Sequence, residues 1–308
     1  MSSILVTGGA GFIASHVANA FTTQGHQVTV LDDLSSGVRE NLPTEAAFVE
    51  ADIRSPEAHG LLATGSFDIL IHHAAQMDVR RSTQDPRFDA DVNIGGTLNL
   101  LEAAVRGGVK QVIFASTGGA IYGEQDTFPA DETHPTRPVS PYGVSKLAGE
   151  RYLYYFHVEH GLNVTCLRYA NVYGERQNPH GEAGVVAIFM QRLFNQQSTT
   201  IFGDGGQTRD YIHVSDVVKA NLSATDREGF CTYNIGTGIE TSVVELHQQV
   251  CTACGIEQEP QFAAAKPGEQ RRSVVDPQRS RHELGLPCAI SLASGLERTA
   301  VFFRGQAS

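Results

Sequence analysis

Two side chains in Ser140-Pro141-Tyr142-Gly143-Val144-Ser145-Lys146 are suited to acid–base chemistry together. On a helix, residues four apart share a face, so Tyr142 and Lys146 would lie side by side. An ammonium next to a phenol favours the phenolate and draws the Tyr pKa towards neutrality. A Tyr so tuned works as a general base or acid. The same spacing also arises on ordinary helix surfaces, so its meaning depends on the elements that would hold it.

Ser3 to Thr7 reads as a short buried strand, followed by Gly8-Gly9-Ala10-Gly11-Phe12-Ile13-Ala14 and an apolar-periodic helix from about Ile13 to Gln24. Strand, glycine turn and helix are the context of a dinucleotide fingerprint. Gly8 permits the tight turn, and Gly11 lets the backbone approach a pyrophosphate that the helix N-terminus stabilises. Ala14 takes the third, packing position. A second strand, Gln27 to Leu31, ends at Asp32, where an acidic residue would grip the adenine ribose. Asp33 follows, and no Arg occurs before Arg39. A 2′-phosphate would meet two carboxylates, so the reading is NAD rather than NADP.

Further strands are expected at Phe48–Glu50, Ile69–His72, Gln111–Ala115 and Asn163–Arg168. The first leads to Asp52-Ile53 beside the adenine. The second opens into His73-Ala74-Ala75-Gln76, with His72 and His73 as packing or loop residues. The third leads to Ser116-Thr117-Gly118-Gly119, and Asn93 opens a helix over Ile94–Arg106. The helix bearing Tyr142 and Lys146 runs to about His160 and ends at Gly161. This alternation predicts an α/β fold with a doubly wound parallel sheet of Rossmann type, whose ligand lies outside the carboxyl ends of the strands. After Arg168 the rhythm breaks into Tyr169-Ala170-Asn171-Val172-Tyr173-Gly174 and a polar loop to Gly184. We therefore expect a cofactor domain over 1–168, with segments near 209–235 returning to it. A smaller α/β substrate domain would occupy most of 169–308. Helices are expected at Val185–Asn195, Val214–Ala224, Thr241–Cys254 and Ser291–Phe303, with a loop at Gly203–Gly206.

The chain has 308 residues and a net charge of −11, which disfavours sequence-independent nucleic-acid binding. No apolar run reaches the ~18 residues of a membrane helix. Ile4-Leu5-Val6 is too short for a signal peptide, so the expected location is cytoplasmic. Five Cys, thinly spread, do not form a secreted disulfide framework. Cys251 and Cys254 read as buried helical thiols rather than a redox or zinc pair.

These motifs, together with Arg168-Tyr169-x-Asn171-Val172-Tyr173-Gly174 and Arg209-Asp210-Tyr211-Ile212-His213-Val214-x-Asp216-Val217, span nearly the whole chain. Jointly they resemble the nucleotide-sugar epimerases and dehydratases of the extended short-chain dehydrogenase/reductase family. The resemblance implies reversible epimerisation at C4 of a UDP-hexose through a transient 4-keto intermediate, with tightly bound NAD. It implies that Tyr142 is the base, Lys146 its partner, and Thr117 the residue that orients the 4-hydroxyl. It also implies a cofactor site built from Gly8, Gly11, Phe12, Ile13, Asp32, Asp33, Ser36, Gly37, Asp52, Ile53, Ala74, Ala75, Gln76, Asn93, Ser116, Tyr142, Lys146, Tyr169 and Val172. Substrate contacts would come from Thr117, Tyr142, Asn171, Arg209, Gly184, Val185, Val186, Ile201 and Phe202. Arg209 would pair with the diphosphate. Lys266 and Glu269 occupy positions where many members carry Arg and Asp. The residue limiting sugar bulk corresponds to Ser273, which is small, so N-acetylated hexoses are an option beside UDP-glucose, and UDP-glucuronate is another. Gly118 and Gly119 replace the Asp-Glu pair of the related dehydratases, which argues against dehydration. A reductase and a non-catalytic NAD-sensing regulator are the remaining alternatives. The resemblance also implies a homodimer through the helices Ile94–Arg106 and Gly143–His160.

Overall fold

A computed structural model describes residues 1–179, 184–265 and 270–306. Six strands come first: β1 (Ser3–Thr7), β2 (Gln27–Asp32), β3 (Ala47–Glu50), β4 (Ile69–His72), β5 (Gln111–Thr117) and β6 (Asn163–Tyr169). Helices α1 (Phe12–Thr23), α2 (Pro56–Thr64), α3 (Val79–Gln84), α4 (Pro86–Ala90), α5 (Thr97–Gly107) and α6 (Pro141–His160) connect them. Past β6 lie β7 (Asn171–Tyr173), α7 (Val185–Phe194), β8 (Thr200–Phe202), β9 (Thr208–Arg209), β10 (Tyr211–His213), α8 (Val214–Ser223) and β11 (Phe230–Ile235). The remainder is β12 (Thr241–Ser242), α9 (Val243–Cys254), β13 (Gln261–Ala263), β14 (Arg272–Ser273), α10 (Gln278–Glu283) and α11 (Leu292–Gln306).

Seven strands form one sheet in the order β11-β6-β5-β4-β1-β2-β3, every pairing parallel. Parallel strands need crossovers and have both faces covered, so they read as continuous apolar runs. Ile4, Leu5 and Val6 of β1 are all fully buried, between an α1/α8 layer on one face and an α2/α5/α6 layer on the other. A third core lies in the later part of the chain, where α7, α9 and α11 pack around Phe189, Met190, Leu246 and Leu296.

Local chemistry explains the borders of the helices that carry the site. Ser140 accepts from Gly143 N at 3.2 Å, Pro141 occupies the first turn of α6, and Gly161 closes it in the left-handed region. Ser242 and Glu245 form a capping box on α9. The expected single helix from Ile94 is instead a π-helical turn over Asp91–Gly96 leading into α5. Asn93 lies inside that turn rather than at a helix start. Its side chain is buried there.

Candidate active site

The glycine turn joins β1 to α1. Gly8, at φ +73°, donates to Leu31 O at 2.8 Å, and Gly11 donates to Gly8 O at 3.0 Å. A Cβ on Gly8 would stand 2.8 Å from Ala74 N, so only glycine lets this turn lie against the loop after β4. Gly11 caps α1 without a side-chain hydrogen bond. Phe12 and Ile13 thus open a helix whose first amides lack intrahelical acceptors, the arrangement that binds an anion. Asp32 is buried at the end of β2, and its carboxylate accepts from Ala10 N (3.0 Å) and Leu34 N (2.8 Å). Burial pushes its carboxyl up, opposed by those two amides. Gly37 closes over the turn, where a Cβ would lie 2.8 Å from the Ala10 carbonyl carbon. Asp33 and Ser36 are exposed on that same loop. Asp52 is chelated by Arg54, whose hydrogen bonds hold its carboxyl low, and Ile53 is buried beneath Gly96.

Across the turn, Ala74 N donates to Thr7 Oγ1 at 3.2 Å. Asn93 grips Gln76 in both directions, accepting from its N–H and donating to its carbonyl, each at 2.8 Å. Asn93 therefore acts on the Ala74–Ala75–Gln76 loop by fixing its backbone. His72 is buried between Thr7 Oγ1 (2.7 Å) and Thr97 Oγ1 (3.0 Å). His73 stacks on Tyr169 and bonds its phenol at 3.0 Å. Burial lowers both imidazoles, His73 to about 3, with the Lys146 charge adding to it, so both are neutral packing groups. Tyr169 also receives Asn221 Nδ2 at 2.9 Å, and Val172 lies half-buried two strand residues before Gly174.

Lys146 is 4% exposed and donates to Ala115 O at 2.9 Å, with its ammonium 4.8 Å from the Phe114 ring centre. It thus faces the strand that ends in Ser116 and Thr117. Burial pushes Lys146 down to about 8, and the Asp89 charge opposes that shift. Tyr142, on the partly buried first turn of α6, is pushed up by burial, with Asp89 adding to the rise. The expectation that the neighbouring Lys146 ammonium draws the phenol towards neutrality is not met in the protein by itself, where burial and the Asp89 charge both push it up.

Thr117 Oγ1 accepts from Ala120 N at 3.2 Å, which leaves its own proton to donate elsewhere. Asn171 Nδ2 is buried without a hydrogen-bond partner. A Cβ on Gly119 would meet only Thr117 Oγ1 and Asn171 Nδ2, each at 3.9 Å. The hydroxyl and the amide therefore converge on one open spot. Gly118 is different, because a Cβ there would be 2.8 Å from Val275 Cγ1 and 3.1 Å from Arg168 O. The Ser116 hydroxyl points away, bonded to Glu150 Oε1 at 2.6 Å.

On the later part of the chain, Arg209 sits on β9 between β12 and β14, and Ser273 is its register partner, 2% exposed. Arg209 Nη1 donates to Thr208 O at 2.8 Å. Gly184 caps α7, which Val185 and the buried Val186 begin. Ile201 is buried and Phe202 half-buried on β8. Lys266 and Glu269 lie outside the described residues. Sequence reading missed Asp89, Ser145 and Glu150, which stand directly behind the site. Asp89 falls in the charged run Asp85–Asp91, which reads as a solvated face.

Residues 4–236 match the NAD dependent epimerase/dehydratase family. A UDP-glucose 4-epimerase of Mycolicibacterium smegmatis is 46% identical, with 98% of each chain covered. The structure of a Thermotoga maritima UDP-glucose 4-epimerase with UDP-glucose superposes with a TM-score of 0.96 at 45% identity, covering 99% of this chain and 100% of that one. The Thermus thermophilus UDP-glucose 4-epimerase in complex with NAD gives a TM-score of 0.92 at 42% identity, covering 98% and 99%. Identity at this level over nearly the whole length, with the family match over residues 4–236, makes the chain a member of the NAD dependent epimerase/dehydratase family.

Proposed function

We propose that this chain interconverts UDP-glucose and UDP-galactose by reversible oxidation at C4. The observation that carries the reading is the meeting of Thr117 and the partnerless Asn171 amide at Gly119, beside the strand against which Lys146 is held. The chain's own residues fit NAD. Gly8 puts no Cβ against the Ala74 loop, and each Asp32 oxygen accepts one amide and keeps capacity for a ribose hydroxyl. Arg39, the first cation after Asp32, is bound by Glu50 and stacks 4.9 Å from the Phe48 ring centre, which leaves a 2′-phosphate unmatched. When bound, NAD supplies a hydride acceptor and donor together with a positive charge beside the phenol.

Tyr142 removes the C4 hydroxyl proton and later returns it. Thr117 donates to the reacting oxygen and fixes its direction, which keeps the carbon in a near-attack position. Lys146 supplies the charge that offsets the forming phenolate. Asn171 donates to the sugar nucleotide, and Arg209 pairs with the diphosphate through its planar fork. Epimerisation requires the 4-keto sugar to present its other face to the same groups, so the pocket holds the nucleotude end firmly and the hexose loosely. Gly118 and Gly119 carry no proton-transfer group, which supports epimerisation over dehydration.

Ser273 favours one extension. The residue that limits sugar bulk in this family corresponds to Ser273, small and in register with Arg209, so we propose that N-acetylated UDP-hexoses are substrates as well. We also infer a cytoplasmic homodimer. All five thiols are free, and α6 exposes Val144, Tyr152, Tyr155 and Val158 along one stripe. The test is to purify the protein, identify the nucleotide released on denaturation, and assay UDP-galactose, UDP-N-acetylgalactosamine and UDP-galacturonate. Released NAD with turnover of UDP-galactose is expected. Released NADP, or turnover of UDP-galacturonate alone, would sink the reading.

A further inference from the structure

A carboxylate lies behind the acid–base pair. Asp89, in α4, is 0% exposed. Its Oδ2 accepts from Ser145 Oγ at 2.6 Å, and its Oδ1 accepts from Gln76 Nε2 at 3.0 Å and Asn93 Nδ2 at 3.1 Å. Ser145 directly precedes Lys146 on α6. Gln76 ends the loop that lies against the glycine turn, and Asn93 sits in the π-helical turn, a feature frequent at functional sites. One buried charge therefore ties together α6, the π-turn and the loop after β4.

Asp78 and Asp85 cap α3 and α4, accepting from Arg81 N at 2.8 Å and Phe88 N at 3.0 Å. On α3, Arg80 and Arg81 are exposed, and Arg81 lies 4.2 Å from the Phe88 ring centre; Arg87 of α4 is also exposed. Asp91, in the π-turn, is held by Arg54 at 2.6 Å, and Glu102 and Arg106 of α5 are exposed. On α6, Glu150 is bound by Arg168 of β6 and by Ser116 of β5. His72 and His73 are neutral, and burial pushes the Tyr142 and Tyr169 phenols up. Asp89, fully buried and bonded to Ser145 next to Lys146, is the carboxylate whose charge acts on the Lys146 ammonium.

We propose that Asp89 is a positioning residue that provides the fixed counter-charge for Lys146 and locks the first turns of α6 to the cofactor-side loop. The proposal rests on the reading of Tyr142 and Lys146 as the acid–base pair, and its primary test does not use turnover. Unfolding free energy is measured across pH for the wild type and Lys146→Met; by linkage, their difference curve bends at the folded-state pKa of Lys146. The same pair of curves is taken with Asp89→Asn. Removing a nearby anion disfavours the ammonium, so the bend moves down by about one pH unit. The kcat–pH profile moves the same way with KM unchanged, and Asp89→Glu restores it. An unmoved bend overturns the proposal. If Asp89→Asn does not fold, the double variant with Lys146→Met decides. A counter-charge predicts that the neutral pair folds again; a double variant that stays unfolded overturns it. Wild-type turnover failing on all UDP-sugars while the bend still moves would reject the substrate reading alone.

Discussion

At the residue scale, Tyr142 and Lys146 stand in opposite relations to their surroundings. Both are desolvated, which raises the phenol and lowers the ammonium. Tyr142→Phe removes the proton-transfer group without touching the glycine turn. It should reduce kcat by about 10²–10⁴-fold while NAD is retained, measured as turnover against nucleotide released on denaturation. Lys146→Met should abolish turnover and yet stabilise the fold by about 1–2 kcal/mol near neutral pH, read from urea midpoints. The sign follows from linkage. The folded pKa of about 8 lies below the ordinary 10.5, so the folded state disfavours the charged form. The gain is therefore full below pH 8 and fades between about 8 and 10.5.

At the scale of elements, β5, β6 and α6 are stitched by a buried polar chain. Arg168 gives Nε and Nη2 to Glu150 at 2.9 and 2.7 Å and Nη1 to Tyr122 at 3.0 Å; Tyr122 donates to Asn234 at 2.6 Å. Glu150→Ala would leave the Arg168 charge buried and unmatched. It should destabilise the protein by about 3–5 kcal/mol, checked by thermal and urea unfolding. Little of this chain was legible beforehand. The glycine turn, Asp32 and Tyr142-x-x-x-Lys146 could be read because spacing alone defines them. Most strand spans followed from short continuous apolar runs, and most helix spans from period 3.6 patterning. Glu150 could not be read, because a Glu on a helix looks like a solvated residue until the strand beneath it is known to carry an Arg. The π-turn was hidden for a related reason: Asn93-Ile94-Gly95-Gly96 has no pattern that separates a wide turn from an ordinary helix start. Gly118 and Gly119 look equivalent in sequence, but only Gly119 has room for a side chain.

For the whole molecule, the proposed homodimer would use the outer face of α6. Leu101 and Leu153 are buried within the chain, whereas Tyr155 and Val158 are 51% and 59% exposed. Replacing both exposed residues, Tyr155→Glu with Val158→Glu, should convert dimer to monomer in sedimentation equilibrium while leaving the fold intact by circular dichroism. A dimer that survives would place the interface elsewhere.

The sheet order has a consequence for biosynthesis. β11 pairs with β6, but residues 170–229 come between them in the chain. Domains emerge and fold from the N-terminus during translation. Six strands can therefore assemble while β6, with its apolar Val164, Cys166 and Leu167, still forms the rim of the sheet. An unpaired apolar edge is a template for pairing with another chain. The stretch that supplies Asn171 and Arg209 is thus also the interval in which the nascent protein is open on one side. A ribosome stalled there would hold a chain with a finished cofactor turn and an adhesive edge, a natural point for chaperone engagement.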